Sequence, residues 1–255
     1  MPKFEVEMDG RLYCKWPSGQ EVALLGCRFA PGNSDREFIV CTEVEADAKE
    51  ASRKAGHEQC RDATYLFEFC TGEPLDLDER QDRIRRKGDE VTTGTKVLPV
   101  DIILALDTPR TKEQFTAAAK AESIIQREQD DEAKEVLRRA IHWQALGHRE
   151  TQSQIDRFIK FWVALEILVE GKGKKVVNKV TKELLQIYPH CAEKTIHDVV
   201  GHIYGVRYDI VHLGMREPEY VKQRLEQLED ILDDLLRKRL GLDFKALAGR
   251  HFGRC

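Results

Sequence analysis

Long apolar runs are missing from this chain of 255 residues. No segment approaches the roughly 20 apolar residues that a membrane-spanning helix needs. Residues 1–20 also lack the basic start and the apolar centre of a secretory signal peptide. We therefore expect a cytoplasmic protein that has no membrane among its partners.

Cysteine pairs at metal-binding spacing are absent as well. The seven cysteines lie far apart and none belongs to a Cys-x2-Cys pair, which argues against a zinc ribbon or finger. We expect reduced thiols, several of them buried. His197 and His202 lie five residues apart, somewhat more than one helical turn, and no carboxylate or thiol nearby completes a metal site. The sequence therefore predicts neither a metal nor a cofactor.

Two common catalytic patterns are also missing. There is no motif for a serine or cysteine nucleophile, and the Gly-Lys-Gly-Lys-Lys run at residues 171–175 lacks the spacing of a nucleotide-binding loop. This run follows a predicted helix rather than a strand. One interpretation is a solvated loop, and the other is a phosphate contact with RNA through Lys172, Lys174 and Lys175.

Charge is unevenly distributed along the chain. The net charge is −4, yet residues 151–255 hold 18 Lys and Arg against 15 Asp and Glu. A basic footprint is usual for proteins that bind nucleic acid. Any such footprint must therefore be local and lie in the C-terminal half of this chain.

The first 107 residues predict a β-rich domain. Apolar and polar side chains alternate in residues 4–8, Asp9-Gly10 can form a turn, and residues 11–16 follow. This pattern favours a hairpin. Further strands are predicted at 21–25, 37–41, 64–70 and 97–106, with turn-rich residues 31–35, a short helix over 43–61 and a loop or solvated helix over 76–95.

Helical patterns dominate from residue 108 to residue 241. Apolar spacing predicts six helices, at 108–129, 131–147, 151–171, 175–187, 192–212 and 219–240. The third and fifth should be central because they are apolar over most of their circumference. The tail, residues 242–255, should be loosely ordered. The predicted fold class is thus α+β, a β-rich domain followed by an antiparallel α-helical bundle.

The segment with the clearest chemistry is residues 203–214, which contains Arg207 and His212 just before Gly214. A histidine can move a proton near neutral pH, and a guanidinium can hold a phosphate by two hydrogen bonds. Residues five apart in a helix lie roughly 140° apart around the axis, so the two side chains do not share one face well. A site formed by two copies of the chain would remove this mismatch.

The segment resembles the Apea-like branch of the HEPN superfamily. Tyr204, Arg207, Asp209, His212 and Gly214 fall where that pattern has equivalents, and Glu166 matches a buried glutamate on an earlier helix. The resemblance covers about residues 110–240. It departs from the pattern at Tyr208, where a small polar residue is common.

This resemblance implies a metal-independent endoribonuclease, often a toxin or defence effector, that works as a homodimer on RNA. Arg207 and His212 would be catalytic, with Glu166, Tyr204, Tyr208 and Asp209 in support. The β-rich domain would recognise a substrate, a protein partner or a trigger.

Other interpretations of these residues stay open. Arg207 can pair with Asp209 or with a neighbouring helix, and His212 can act as a C-terminal capping cation. Glu166 can form a structural ion pair, for example with Arg207, or it can orient one of the two catalytic side chains. The alternative function is a non-catalytic module that dimerises or binds RNA or protein.

Overall fold

The computed structural model describes residues 2–12, 21–34, 37–71, 75–86, 112–127, 130–214, 218–242 and 247–253. The chain divides into two compact units, Met1–Ser123 and Ile124–Cys255. An antiparallel sheet lies in the first unit and most helices lie in the second, which confirms the α+β class. The predicted boundary at residues 107 and 108 lies outside the described residues, as does the strand predicted at 97–106.

The first unit is built on a five-stranded antiparallel sheet with the order β2-β3-β4-β1-β5. Its strands are β1 (Lys3–Leu12), β2 (Val22–Leu24), β3 (Cys27–Pro31), β4 (Glu37–Glu45) and β5 (Leu75–Arg86). Helix α1 (Lys49–Thr71) packs against the sheet. The alternation of buried Val6 and Met8 with half-buried Glu5 and Glu7 gives β1 its apolar face.

The hairpin predicted at Asp9-Gly10 is wrong, because β1 continues through both residues. Gly10 pairs with Phe38 of β4, and a Cβ atom at Gly10 would lie 2.2 Å from the Phe38 ring. The glycine is therefore required by the close approach of an aromatic ring and does not mark a turn. The strand β3 was missed because its end, Pro31, belongs to the turn-rich segment of the sequence.

The strand predicted at residues 64–70 is the second half of α1. Residues 63–67 are all buried, so this part of the helix shows no polar face and reads like a buried strand. The hydroxyls of Thr64 and Thr71 donate to the carbonyl oxygens of Cys60 and Phe67, each at 2.8 Å. These bonds satisfy both β-favouring side chains within the helix.

The loop or solvated helix predicted from residue 76 is an edge strand, β5. Two of its charged side chains, Asp82 and Arg83, are paired on opposite faces of the sheet. Asp82 accepts hydrogen bonds from Arg53 at 2.8 Å and from His57 at 2.9 Å, both on α1. Partial burial opposes ionisation, but these two bonds hold the pKa of Asp82 below its ordinary value. Arg83 donates to Glu7 and Asp9 of β1 on the opposite side.

Six helices follow, and all but the first confirm their predicted segments to within three residues at each end. They are α2 (Lys112–Arg127), α3 (Asp131–Arg149), α4 (Gln154–Leu168), α5 (Lys174–Ile187), α6 (Glu193–Leu213) and α7 (Pro218–Arg239). Helix α4 contacts α3, α6 and α7, and its Phe158, Phe161 and Trp162 are fully buried. The central position predicted for α4 is therefore confirmed.

Ion pairs join α4 to its neighbours as well. Arg157 donates to Glu229 of α7 at 2.8 Å, and its guanidinium lies 5.5 Å from the centre of the Phe161 ring. His148, at the end of α3, contacts the same carboxylate at 3.5 Å. Burial lowers the pKa of His148 even though Glu229 favours its protonation.

The C-terminal tail is docked on α7, which corrects the expectation of a loose tail for residues 247–253. A short 3-10 helix, Ala248–His251, follows α7, and Phe252 packs edge-on against Tyr188 with ring centres 5.3 Å apart. Asp234 of α7 accepts hydrogen bonds from the amides of Leu247 and Ala248 and from the Tyr188 hydroxyl. Burial raises the pKa values of both Asp234 and Tyr188.

Asp230, one turn before Asp234, holds the other end of the tail. It accepts from Arg250 at 2.7 Å and contacts His251 at 2.6 Å. The two aspartates lie on one side of α7 because they are four residues apart. The tail is thus fixed by carboxylates that the apolar pattern of α7 conceals.

The cysteines differ from the expectation at one position. Cys27, Cys41, Cys60 and Cys70 are buried free thiols, whereas Cys191 is disulfide-bonded. A hydrogen bond with Cys27, together with burial, raises the pKa of the Cys60 thiol. Among the helices described, none combines the length and apolar character needed to cross a membrane.

We predict that Asp234→Ala releases the tail. The substitution leaves two backbone amides and the Tyr188 hydroxyl without their buried acceptor, at a cost of about 3 kcal/mol. Hydrogen exchange should show that the Leu247 and Ala248 amides lose protection. Asp198→Ala, an exposed change on α6, is the control and should leave both amides protected. Unchanged protection in Asp234→Ala would contradict this account of the tail.

Candidate functional site

The Arg207–His212 segment lies in the last two turns of α6. The helix stays regular through Leu213 and ends at Gly214, which has φ 65° and ψ 32°. The Gly214 amide donates to the Asp209 carbonyl oxygen, and this left-handed conformation favours glycine. The glycine therefore closes the helix where the sequence predicts, and His212 lies in its final turn.

Arg207 points toward α4. Its Nη2 atom lies 3.8 Å from Oε1 of Glu166, and each of the two side chains keeps 22% of its surface exposed. The contact is an ion pair but is too long for a hydrogen bond. The alternative partner Asp209 has a half-buried side chain and forms no ion pair with Arg207 within the described residues. The guanidinium is thus held loosely at the surface and can still donate to another acceptor.

His212 is exposed and lies on a different side of α6. Its imidazole packs against the Tyr208 ring, with ring centres 4.6 Å apart and planes tilted by 42°. The residue that departs from the family pattern, Tyr208, is therefore the one that supports the histidine ring. His212 also belongs to the last turn of α6.

Arg207 and His212 do not meet within one copy of the chain. The helix is regular between them, so the separation of roughly 140° around the axis remains. The structure brings Arg207 to Glu166 and His212 to Tyr208, and no contact joins these two pairs among the described atoms. In a single copy the imidazole and the guanidinium therefore face different directions.

Tyr204 packs against α4 and so positions the Arg207–His212 segment along that helix. Its ring centre lies 6.0 Å from that of Trp162, at an angle of 52°. Ile203 and Val206 on the same stretch of α6 are buried. Trp162 Nε1 is buried and has no hydrogen-bond partner in the part of the chain described. Tyr204 thus has a packing role that places the next turn, with Arg207 and Tyr208, at the surface.

Four exposed apolar side chains lie near this end of α6 in the sequence, and the sequence predicted a role for only one of them, Tyr208. Among the residues described, the large apolar side chains that are exposed are Tyr208, Val211, Leu213 and Tyr220. Leu213 keeps 70% of its surface exposed. The available signal was the presence of apolar residues outside the stripe of Ile203 and Val206 in the turns before Gly214.

The basic residues predicted to contact RNA are exposed. Lys172 lies in the loop between α4 and α5, and Lys174 and Lys175 open α5. His197 and His202 are exposed on α6. Across the described residues, no group of three His, Cys, Asp or Glu side chains is suited to a metal ion.

No family model, curated protein or solved structure matches this chain. The resemblance to HEPN proteins therefore rests on the residues of α4 and α6 described above.

We predict weak coupling between Glu166 and Arg207. A double-mutant cycle with Glu166→Gln and Arg207→Gln should give a coupling free energy below about 1 kcal/mol, because the pair is partly exposed and lacks a hydrogen bond. Urea unfolding of the four proteins provides the measurement. The pair of Lys160 and Glu150, whose atoms are 2.6 Å apart, is the matched cycle and should couple more strongly. A coupling above about 2 kcal/mol for Glu166 and Arg207 would show a much tighter pair.

Proposed function

We propose that this protein is a metal-independent endoribonuclease of the HEPN type. The observation that carries the proposal is the exposed imidazole of His212 at the end of a helix whose preceding turns carry Arg207. The imidazole is free to exchange protons with a substrate, and Arg207 retains donors beyond its loose contact with Glu166. As in the family that the sequence resembles, a role as a toxin or defence effector in the cytoplasm is part of the proposal.

The reaction is an internal transfer within the RNA. His212 takes the proton of a ribose 2′-hydroxyl, and the resulting oxygen attacks the adjacent phosphorus. The new 2′-oxygen–phosphorus bond forms as the bond from phosphorus to the 5′-oxygen breaks. The leaving 5′-oxygen receives a proton from an imidazolium or from water, and the product is a 2′,3′-cyclic phosphate. Arg207 stabilises the charge on the phosphorane oxygens.

The site is proposed to lie between two copies of the chain. In a symmetric dimer, Arg207 of one copy and His212 of the other reach the same phosphate, which removes the mismatch of directions on one helix. Tyr208, Val211 and Leu213, which are exposed in the last two turns of α6, support such an interface, because exposed apolar surface marks association sites.

A second candidate function is a non-catalytic binding module. The contact of Arg207 with Glu166 favours it, since an ion-paired guanidinium offers less charge to a transition state. In this case the helical unit dimerises or binds RNA or protein without cleaving it. The β-rich unit recognises a trigger or a partner under either function.

We predict that His212→Ala and Arg207→Ala each abolish RNA cleavage. Loss of a general acid or base lowers the rate by about 10²–10⁴, and loss of a charge-stabilising donor lowers it by about 10²–10³. Gel analysis of a labelled RNA in EDTA is the measurement, with circular dichroism to confirm folding. His202→Ala, an exposed histidine on the same helix, should retain activity. Cleavage that survives in both variants, or that requires a divalent ion, would place the chemistry elsewhere.

We predict that the two inactive variants complement each other. A symmetric dimer has two shared sites. In a mixed dimer of Arg207→Ala and His212→Ala, one site keeps both its arginine and its histidine, and the other site has neither. Random exchange of subunits should therefore restore roughly a quarter of the wild-type activity. Light scattering should show the dimer, and Leu213→Glu should weaken it. A strict monomer, or no recovery on mixing, would rule out the shared site.

A further inference from the structure

The outer face of α5 is strongly basic. Lys174, Lys175, Lys179 and Lys182 are all exposed, and Lys172 lies exposed just before the helix. The opposite side of the helix, with Val176, Val177, Val180 and Leu184, is buried. We call the exposed residues Lys172, Lys174, Lys175, Lys179 and Lys182 the lysine face.

Several cations elsewhere in the described part of this unit form ion pairs with carboxylates, and those of the lysine face do not. Lys160 pairs with Glu150, and Lys238 and Arg239 share Glu183. Within the described residues, the five lysines of the lysine face form no ion pair. The ammonium of Lys179 donates to the Glu170 carbonyl oxygen at 2.8 Å, which is a neutral partner. Within the described residues, no ion pair therefore neutralises the positive charge of this face.

This arrangement is unfavourable for an isolated helix. Like charges three or four residues apart, as at Lys175, Lys179 and Lys182, destabilise a helix by about 0.2–0.5 kcal/mol for each pair. The first turn of α5 contains Lys174 and Lys175 and no acidic residue, although the helix dipole disfavours cations there. An external polyanion would reverse both effects.

The lysine face begins close to the candidate site along the bundle. Helices α5 and α6 pack together and are joined by only residues 188–192, so they run antiparallel. Equal rise in the two helices places the start of α5 at about the level of Val206, next to Arg207. His212 lies about 9 Å further along α6, beyond the start of α5.

We infer that the lysine face binds the sugar–phosphate backbone of an RNA strand and leads it to the end of α6. The inference rests on the proposed function, because it names the contact that guides the substrate to that site. It extends the predicted contacts of Lys172, Lys174 and Lys175 to a continuous face along the helix. A lipid surface fits less well, because a helix bound at a membrane needs a free apolar side, and that of α5 is buried.

Fluorescence anisotropy with a labelled single-stranded RNA of mixed sequence tests the inference. All proteins carry His212→Ala so that binding is measured without cleavage. Five phosphate contacts predict a slope of about −3.5 for log affinity against log salt concentration. Lys174→Gln, Lys175→Gln and Lys179→Gln together should bring the slope to about −1.4 and weaken binding at low salt by at least about tenfold.

The matched control removes the same charge from other surfaces. Lys54→Gln, Lys194→Gln and Lys222→Gln replace exposed lysines on α1, α6 and α7, and both slope and affinity should stay unchanged. Equal RNA binding by the α5 variant and its parent would overturn the inference. Equal losses in both triple variants would also overturn it, because general charge would then explain the binding.

The remaining outcomes separate this inference from the proposed nuclease. If the wild type never cleaves RNA but the α5 variant alone loses RNA binding, the lysine face is supported and the catalytic proposal fails. If the wild type cleaves RNA and the α5 variant binds RNA normally, the catalytic proposal is supported and the inference about the lysine face fails. Binding of the parent to phosphatidylserine–phosphatidylcholine vesicles but not to RNA would assign the face to a membrane and overturn the inference.

Discussion

The candidate site depends on one narrow apolar stripe along α6. Ile196, Val200, Ile203 and Val206 recur every three or four residues and are all buried. Burial of this stripe fixes the rotation of α6 about its axis, and this rotation sets the direction of the side chains between its members. Arg207 follows Val206 and is placed beside α4, whereas His212, five residues later, is turned away. The same packing that orders the helix thus separates the two groups with the clearest chemistry.

The helical unit could be predicted from the sequence more fully than the sheet. Helices α4 and α6 have strong apolar periods and clear ends: Ser153 caps the start of α4, and Gly214 closes α6. The sheet unit depends on contacts distant in sequence. A glycine is needed at Gly10 because an aromatic ring on β4 leaves no room for a side chain. Charged side chains of β5 pair with residues on α1 and β1. A local pattern does not contain these partners, so the turn, the buried half of α1 and the charged strand were misassigned.

Within the site, the sequence identified single residues better than their neighbours. The contact between Glu166 and Arg207 follows from a carboxylate placed within an apolar helix, which needs a cation nearby. The contact between the Tyr208 and His212 rings follows from their four-residue spacing. The exposure of Val211 and Leu213 did not follow, since an apolar residue in a helix is more often buried, and only the end of the packed region leaves these two uncovered.

Residues 247–253 are a packed part of the helical unit and not a loose extension of it. Asp234 serves three donors at once, one on the segment between α5 and α6 and two on the tail. An asparagine there would offer only one acceptor oxygen and would add donors of its own, so a carboxylate is the side chain that fits. A shortened chain ending at α7 would lose more than a surface appendage. It would leave a buried anion with a single partner beneath the junction that holds α5 against α6.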